Sequence, residues 1–158
     1  MEHTQAMAAA LEQARLAAAR GEVPVGAVVV RGDEIIAAAG NRVEELDDAT
    51  AHAEMLALAQ ASRVVGDWRL TGCLLVATLE PCAMCAGAAY NSRVDGVVFG
   101  AADPRLGALG SAQNVYDALP APPWVVGGVD GEIAGQLLKD FFAARRREPK
   151  YKDAEEGV

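Results

Sequence analysis

The sequence predicts a three-layer α/β fold, with helices on both faces of a mixed central sheet of about five strands. Three observations carry that expectation. "VGAVVVRGDEIIAAA" holds two apolar runs around a tight polar turn, the mark of an antiparallel hairpin. "CLLVATL" is apolar throughout, as a strand buried on both faces must be. A short helix and a second apolar run, "VDGVVFG", follow it in the order of a parallel βαβ unit. Ala-rich and amphipathic stretches at the two ends supply helices to cover the sheet.

Residues 3–20 are rich in alanine, the best helix former, and Gly21 stops them. Val25 to Val30 is the first strand, Arg31, Gly32 and Asp33 the turn, and Glu34 to Ala39 the return strand. Residues 40–50 are polar and read as a loop. Thr50 is placed to cap a helix over Ala51 to Ser62. Cys73 to Leu79 is the buried strand. Pro81 suits the first position of a short helix running to about Ala89. Val94 to Gly100 is the next strand. Residues 101–123, with Pro104, Gly107, Gly110 and "LPAPP", read as loops with one helical turn. "WVVGGV" is the last strand. "EIAGQLLKDFFAARRR" is an amphipathic helix with Ile133, Leu137, Leu138, Phe141 and Phe142 on its apolar face. The tail after Pro149 is expected to fray. No repeat or linker interrupts this order, so residues 1–158 read as a single domain.

At 158 residues the chain can bury a real core. Its apolar fraction is 52% but aromatics make up only 5%, so Ala, Val and Leu must build that core. No apolar run nears the ~18 residues of a membrane helix. Residues 1–20 lack the basic start and unbroken apolar stretch of a signal peptide. A cytoplasmic protein with no membrane partner is therefore expected. A reducing compartment disfavours a disulfide, and three cysteines would leave one unpaired. The net charge of −8 is not that of a general nucleic-acid binder. Any RNA contact must rest on a local basic patch.

Cys82 and Cys85, in "TLEPCAMCAG", pose the functional question. Two thiols at this spacing fit a disulfide, a redox pair, a structural metal clip or part of a catalytic metal site. The spacing puts both sulfurs on one face of the first turn. There the positive end of the helix dipole favours the thiolate form that binds metals. Upstream, "TAHAEM" puts His52 and Glu54 at a second helix start, where side chains lean over the open end. Two such starts facing each other offer one nitrogen and two sulfurs, a donor set that suits Zn2+. A structural zinc site is closed by a fourth protein ligand, whereas three ligands leave a place for water, the catalytic arrangement. Cys73 sits a strand's length away and His3 lies in a terminal segment, so neither is a good fourth ligand. Glu54 fits better as a base beside that water than as a ligand. A redox pair would leave His52 and Glu54 unexplained. A closed clip in a non-catalytic zinc-binding module would leave Glu54 and Pro81 without a purpose. His-x-Glu followed by Pro-Cys-x-x-Cys is the general signature of zinc nucleobase deaminases.

On these residues the chain resembles the bacterial tRNA-specific adenosine deaminases, with their cytidine deaminase-like fold. "EVPVGAVVV", Asn41-Arg42, "SRV", "VVFGAADPRLGALGS" and "DFFAARRR" extend the likeness over most of residues 21–111 and the last helix. The resemblance implies one Zn2+ per subunit on His52, Cys82 and Cys85, with Glu54 as catalytic proton shuttle. It implies a homodimer, and conversion of adenosine to inosine at the wobble position of a tRNA anticodon arm. It also implies that Asn41 touches the target nucleotide, that Asp103 contacts RNA beside it, and that Val25 and Ala53 line the base pocket. Arg93, Arg105, Arg145, Arg146 and Arg147 are candidates for phosphate contact, with Lys150 and Lys152 beyond. Such contacts would register in the salt dependence of affinity. The chain departs from the family at Asn91, where many relatives carry His, at Asn114, where Asp is common, and across "ALPAPPWVV", which includes the Pro-rich 119–123 segment. The alternative with the same zinc chemistry is deamination of a free base or nucleoside such as guanine, cytosine or cytidine. By spacing alone, Asn41 and Asp103 read as turn residues, Cys73 as a buried strand residue and His3 as solvated. The arginine run by itself needs no ligand, because cations at a helix C-terminus offset the dipole.

Overall fold

The structure, a computed structural model, describes residues 1–148. In chain order it holds α1 (His3–Ala19), β1 (Gly26–Arg31), β2 (Glu34–Gly40), α2 (Val43–Leu46), α3 (Ala53–Val65) and β3 (Cys73–Leu79). There follow α4 (Ala83–Asn91), β4 (Gly96–Ala101), a 3-10 turn (Val115–Ala118), β5 (Trp124–Val126) and α5 (Gly131–Arg146). The strands form one five-stranded sheet ordered β2-β1-β3-β4-β5. β1 pairs antiparallel with β2 and β3, while β3, β4 and β5 run parallel. The mixed α/β sheet expected from the hairpin and the βαβ unit is the one observed.

Side chains alternate across the sheet with a period of two. Val28, Val30, Val76 and Val98 pack on one face with Ala6, Met7, Ala10 and Leu11 of α1 and Ala134 of α5. Val29, Leu75, Ala77 and Val97 pack on the other with Ala53, Ala57 and Leu58 of α3 and Ala86 and Ala89 of α4. Small residues let the helices come close: at Gly26 a Cβ would overlap the Ala10 carbonyl of α1. α3 and α4 therefore share one layer, and both start at the same end of the sheet. Among the described residues no helix is long and apolar enough to cross a membrane.

Several local expectations give way to tertiary contacts. The polar stretch 40–50 contains α2, because the Glu22 carboxylate accepts the amides of Glu44 (3.0 Å) and Glu45 (2.8 Å) at its start. Thr50 does not cap α3. Its amide and hydroxyl donate to Asp48 Oδ1 in a turn, and His52 is the N-cap. α3 runs past Ser62 to Val65. Pro81 lies outside α4, because the chain is still extended at Cys82 (φ −72°, ψ 175°), which is the N-cap. The last strand is shorter than expected, Trp124–Val126. Ile133 points to solvent at 46% exposure, while Ala134 is the buried residue of α5. His3 is half-buried rather than solvated, since α1 begins there and its ring stacks on Trp124 at 5.9 Å. Cys73 is buried, and burial raises its pKa. The tail after Pro149, with Lys150 and Lys152, lies outside the described residues.

Candidate active site

His52 and Cys82 are the N-caps of α3 and α4, and neither side chain caps its own helix. For α3 the orphan donor of Ala53 is met from elsewhere: Asn41 Oδ1, just past β2, accepts it at 2.8 Å. The imidazole and the thiol are left to turn over the helix ends. Cys85, fully buried in the first turn of α4, adds a third donor. His52 Nδ1 lies 3.7 Å from Cys82 Sγ and 3.5 Å from Cys85 Sγ. All three donor atoms lie within 4.8 Å of one another. Zinc bonds of ~2.3 Å to sulfur and ~2.0 Å to nitrogen, at tetrahedral angles, set an N···S edge of about 3.5 Å. The triangle thus fits one zinc ion as it stands. Among the described residues no fourth His, Cys, Asp or Glu joins the group.

The electrostatics suit a cation. Cys82 Sγ faces Cys85 and His52, which pull its pKa down to about 3. The Cys85 thiol, against that sulfur and buried, is pushed up. The sulfur of Cys82 also raises the His52 pKa against the effect of burial. Each shift records a cluster of donors that one positive ion would satisfy together. Glu54, in the first turn of α3, is 4% exposed, and burial pushes its carboxyl above the usual range.

A cavity of about 270 Å³ opens over these groups, with His52, Glu54 and Cys82 in its wall. Val25, Asn41 and Asp103 line it as well. Asp103 is also a turn residue: its Oδ1 accepts the amides of Arg105 (3.0 Å) and Leu106 (3.2 Å). Ala53 is fully buried behind Asn41 and is absent from the lining. Arg145, from the last turn of α5, reaches the cavity, donates to the Gly21 carbonyl at 3.3 Å and lies 4.9 Å over the Phe141 ring. Arg105, Arg146 and Arg147 are exposed. Arg93 is not brought to the cavity. It follows α4 in a left-handed conformation (φ 62°), with its guanidinium 6.0 Å from the Trp68 ring. The unusual residues have local uses. Asn114 accepts the Tyr116 amide, the Pro120 carbonyl accepts the Tyr90 hydroxyl, and Asn91 ends α4 exposed.

Two further carboxylates in the cavity wall, Glu22 and Glu80, escaped the motif-based reading. Each is 2% exposed. Glu22 holds α2, and Glu80 accepts from Asp103, Leu109 and Ser111. Burial opposes the charged form of Glu80, yet the Ser111 hydroxyl and the amides of Leu109, Asp103 and Ser111 outweigh it and hold its pKa low. Their signal was present: each is a lone acid beside an apolar strand, in "EVPVG" and "TLEPC".

Residues 1–101 match the family model for the cytidine and deoxycytidylate deaminase zinc-binding region. The chain belongs to the cytidine and deoxycytidylate deaminase family. Within it the chain groups with the tRNA-specific adenosine deaminases. The protein of that name from Bacillus subtilis (strain 168) is 45% identical over 146 residues, 91% of either chain. A solved tRNA:A34 deaminase, from work on A-to-I editing at the wobble position of transfer RNA, aligns with a TM-score of 0.79 and 40% identity, over 85% of this chain and 99% of that one. A guanine deaminase from Nitrosomonas europaea aligns with a TM-score of 0.79 and 30% identity, over 89% of this chain and 84% of that one. Shape therefore does not separate an RNA substrate from a free base among these relatives.

Proposed function

We propose that the chain, as one domain, is a zinc-dependent hydrolytic deaminase that converts adenosine to inosine at the wobble position of a tRNA anticodon. Its partners are the anticodon arm and a second copy of itself, in the cytoplasm. The observation that carries this reading is the three-donor metal triangle, beside a buried carboxyl, in the wall of a cavity.

His52, Cys82 and Cys85 would hold the zinc ion, which would supply the Lewis acidity that lowers the pKa of the attacking water. Glu54 does the proton work. Burial brings its carboxyl closer to the range in which it can both take a proton and return it. It removes a proton from the water as C6 of the adenine is attacked, protonates a ring nitrogen, and delivers the next proton to the departing amine. Adenosine and water thus become inosine and ammonia. Asn41 has its Oδ1 committed to Ala53, so its Nδ2 is the part left to face the base. Val25 supplies an apolar wall against the ring. The base enters unstacked, as single-stranded RNA bases are usually read.

A free-base deaminase is the second reading, favoured by the acidic wall, where Glu22, Glu44, Glu54, Glu80 and Asp103 face one guanidinium. The test is to incubate the zinc-loaded protein with an anticodon stem-loop bearing a wobble adenosine, and separately with guanine, cytosine and cytidine. Inosine in the stem-loop is expected. Ammonia from a free base, with the RNA untouched, would replace the first reading by the second.

A further inference from the structure

We propose that Glu80 is a positioning residue for substrate binding: it ties the 103–111 loop, and with it the Asp103 and Leu106 wall of the cavity, to the turn that carries Cys82. The kinetic arm of the test rests on the deaminase reading above, whereas the exchange arm does not.

Glu80 follows β3 directly, and its own amide donates to the Ala101 carbonyl at 2.8 Å, which fixes its backbone against β4. Its side chain accepts the amides of Asp103 (3.2 Å), Leu109 (3.0 Å) and Ser111 (3.2 Å), together with the Ser111 hydroxyl. All four donors come from one loop. Between β4 and the 3-10 turn that loop has only an isolated bridge, Leu109 to Asn114, so no helix or ladder sets its shape. The carboxylate does that from inside.

Two other contacts close the same unit. The Pro81 carbonyl, one residue before Cys82, accepts the Ala108 amide at 2.9 Å. At Gly107 a Cβ would overlap the Glu80 carboxylate, so the loop wraps it only with glycine there. From this anchored base the chain reaches the cavity. The Asp103 carbonyl accepts the Gly107 amide at 2.9 Å, and the Asp103 side chain takes the Leu106 amide, which closes the wall. A carboxylate can accept all four donors, whereas a glutamine has one oxygen and an NH2 that would face N–H groups. The isosteric change is therefore a clean break of the tether.

The experiment compares zinc-loaded wild type with Glu80→Gln, Gly107→Ala and Ser111→Ala. It reads zinc stoichiometry, amide hydrogen exchange, and kinetics on the wobble-adenosine stem-loop. Zinc is expected to remain bound in every variant. Exchange at Asp103, Leu109 and Ser111 is expected to speed up in Glu80→Gln and Gly107→Ala, with α3 and α4 unchanged. KM should rise about tenfold in Glu80→Gln while kcat falls far less. Ser111→Ala, which removes one donor, should give a smaller rise in KM and carries the test should Glu80→Gln fail to fold. Unaltered exchange at the three amides, loss of zinc, or a fall in kcat with KM unchanged would each overturn the proposal. A wild type inert on the stem-loop would defeat the deaminase reading instead, and exchange would still decide the tether.

Discussion

Glu54 and Glu80 stand in the wall of one cavity and are almost equally sealed from solvent, at 4% and 2% exposure. Their surroundings push them in opposite directions. Burial raises the Glu54 carboxyl, with His52 opposing it. Glu80 is ringed by amides and a hydroxyl that hold it low despite burial. The first is the carboxyl to which the proposed function gives the proton transfers, and the second is an anion that organises backbone. Burial alone therefore does not assign a role to an acid. The number of N–H and O–H groups already aimed at it does.

The strongest way to break this contrast is to remove the metal triangle around which Glu54 sits. Cys85→Ala should strip zinc from the purified protein, read by metal analysis, and abolish turnover, because two donors hold zinc far less well than three. Next in size is Glu54→Gln. Loss of a positioned acid–base should lower turnover by about 10²–10⁴-fold, with zinc retained and no loss of Tm. Zinc loss in that variant would make Glu54 a ligand and erase its difference from a structural acid.

The contrast also marks where the sequence stops being legible. The sheet could be read from period-two apolar runs, and its face alternation follows, because that signal is local. The metal triangle could be read because its chemistry demands particular residue types at helix starts. What could not be read are contacts between distant segments. Nothing local says that Glu22 nucleates α2 or that Asn41 caps α3 in place of Thr50. Nor does it say that Glu80 gathers amides from 23 to 31 residues downstream. Pro81 misled for a related reason: it favours a first helical position, but Cys82 must remain extended to turn its sulfur toward His52.

Acid titration sharpens the same comparison with a smaller effect. The folded pKa of Glu80 lies below its ordinary value, so its stabilisation is present above the ordinary carboxylate pKa and is lost as pH falls through the depressed one. Glu80→Gln should cost about 3 kcal/mol at neutral pH, the scale of lost hydrogen bonds to a buried charge. The gap in stability between it and wild type should shrink as the buffer is acidified. Denaturant unfolding of both zinc-loaded proteins at neutral and acid pH measures this. A gap independent of pH would mean that Glu80 is not the anion its partners imply.

The smallest effect concerns the one guanidinium in this acidic wall. Arg145 is held against the Gly21 carbonyl and the Phe141 ring, so it stands beside the cavity before any substrate arrives. Arg93, by contrast, lies beside Trp68, away from the cavity lining. If Arg145 meets a phosphate flanking the target base, Arg145→Gln should reduce the slope of log affinity against log salt by about 0.7, one single-strand contact. Arg93→Gln should leave that slope alone. The slope is the useful readout because a packing defect would weaken binding without changing the number of ions released. Equal slopes for Arg145→Gln and wild type would mean that Arg145 meets no phosphate and would leave the exposed Arg105, Arg146 and Arg147 to supply any such contact.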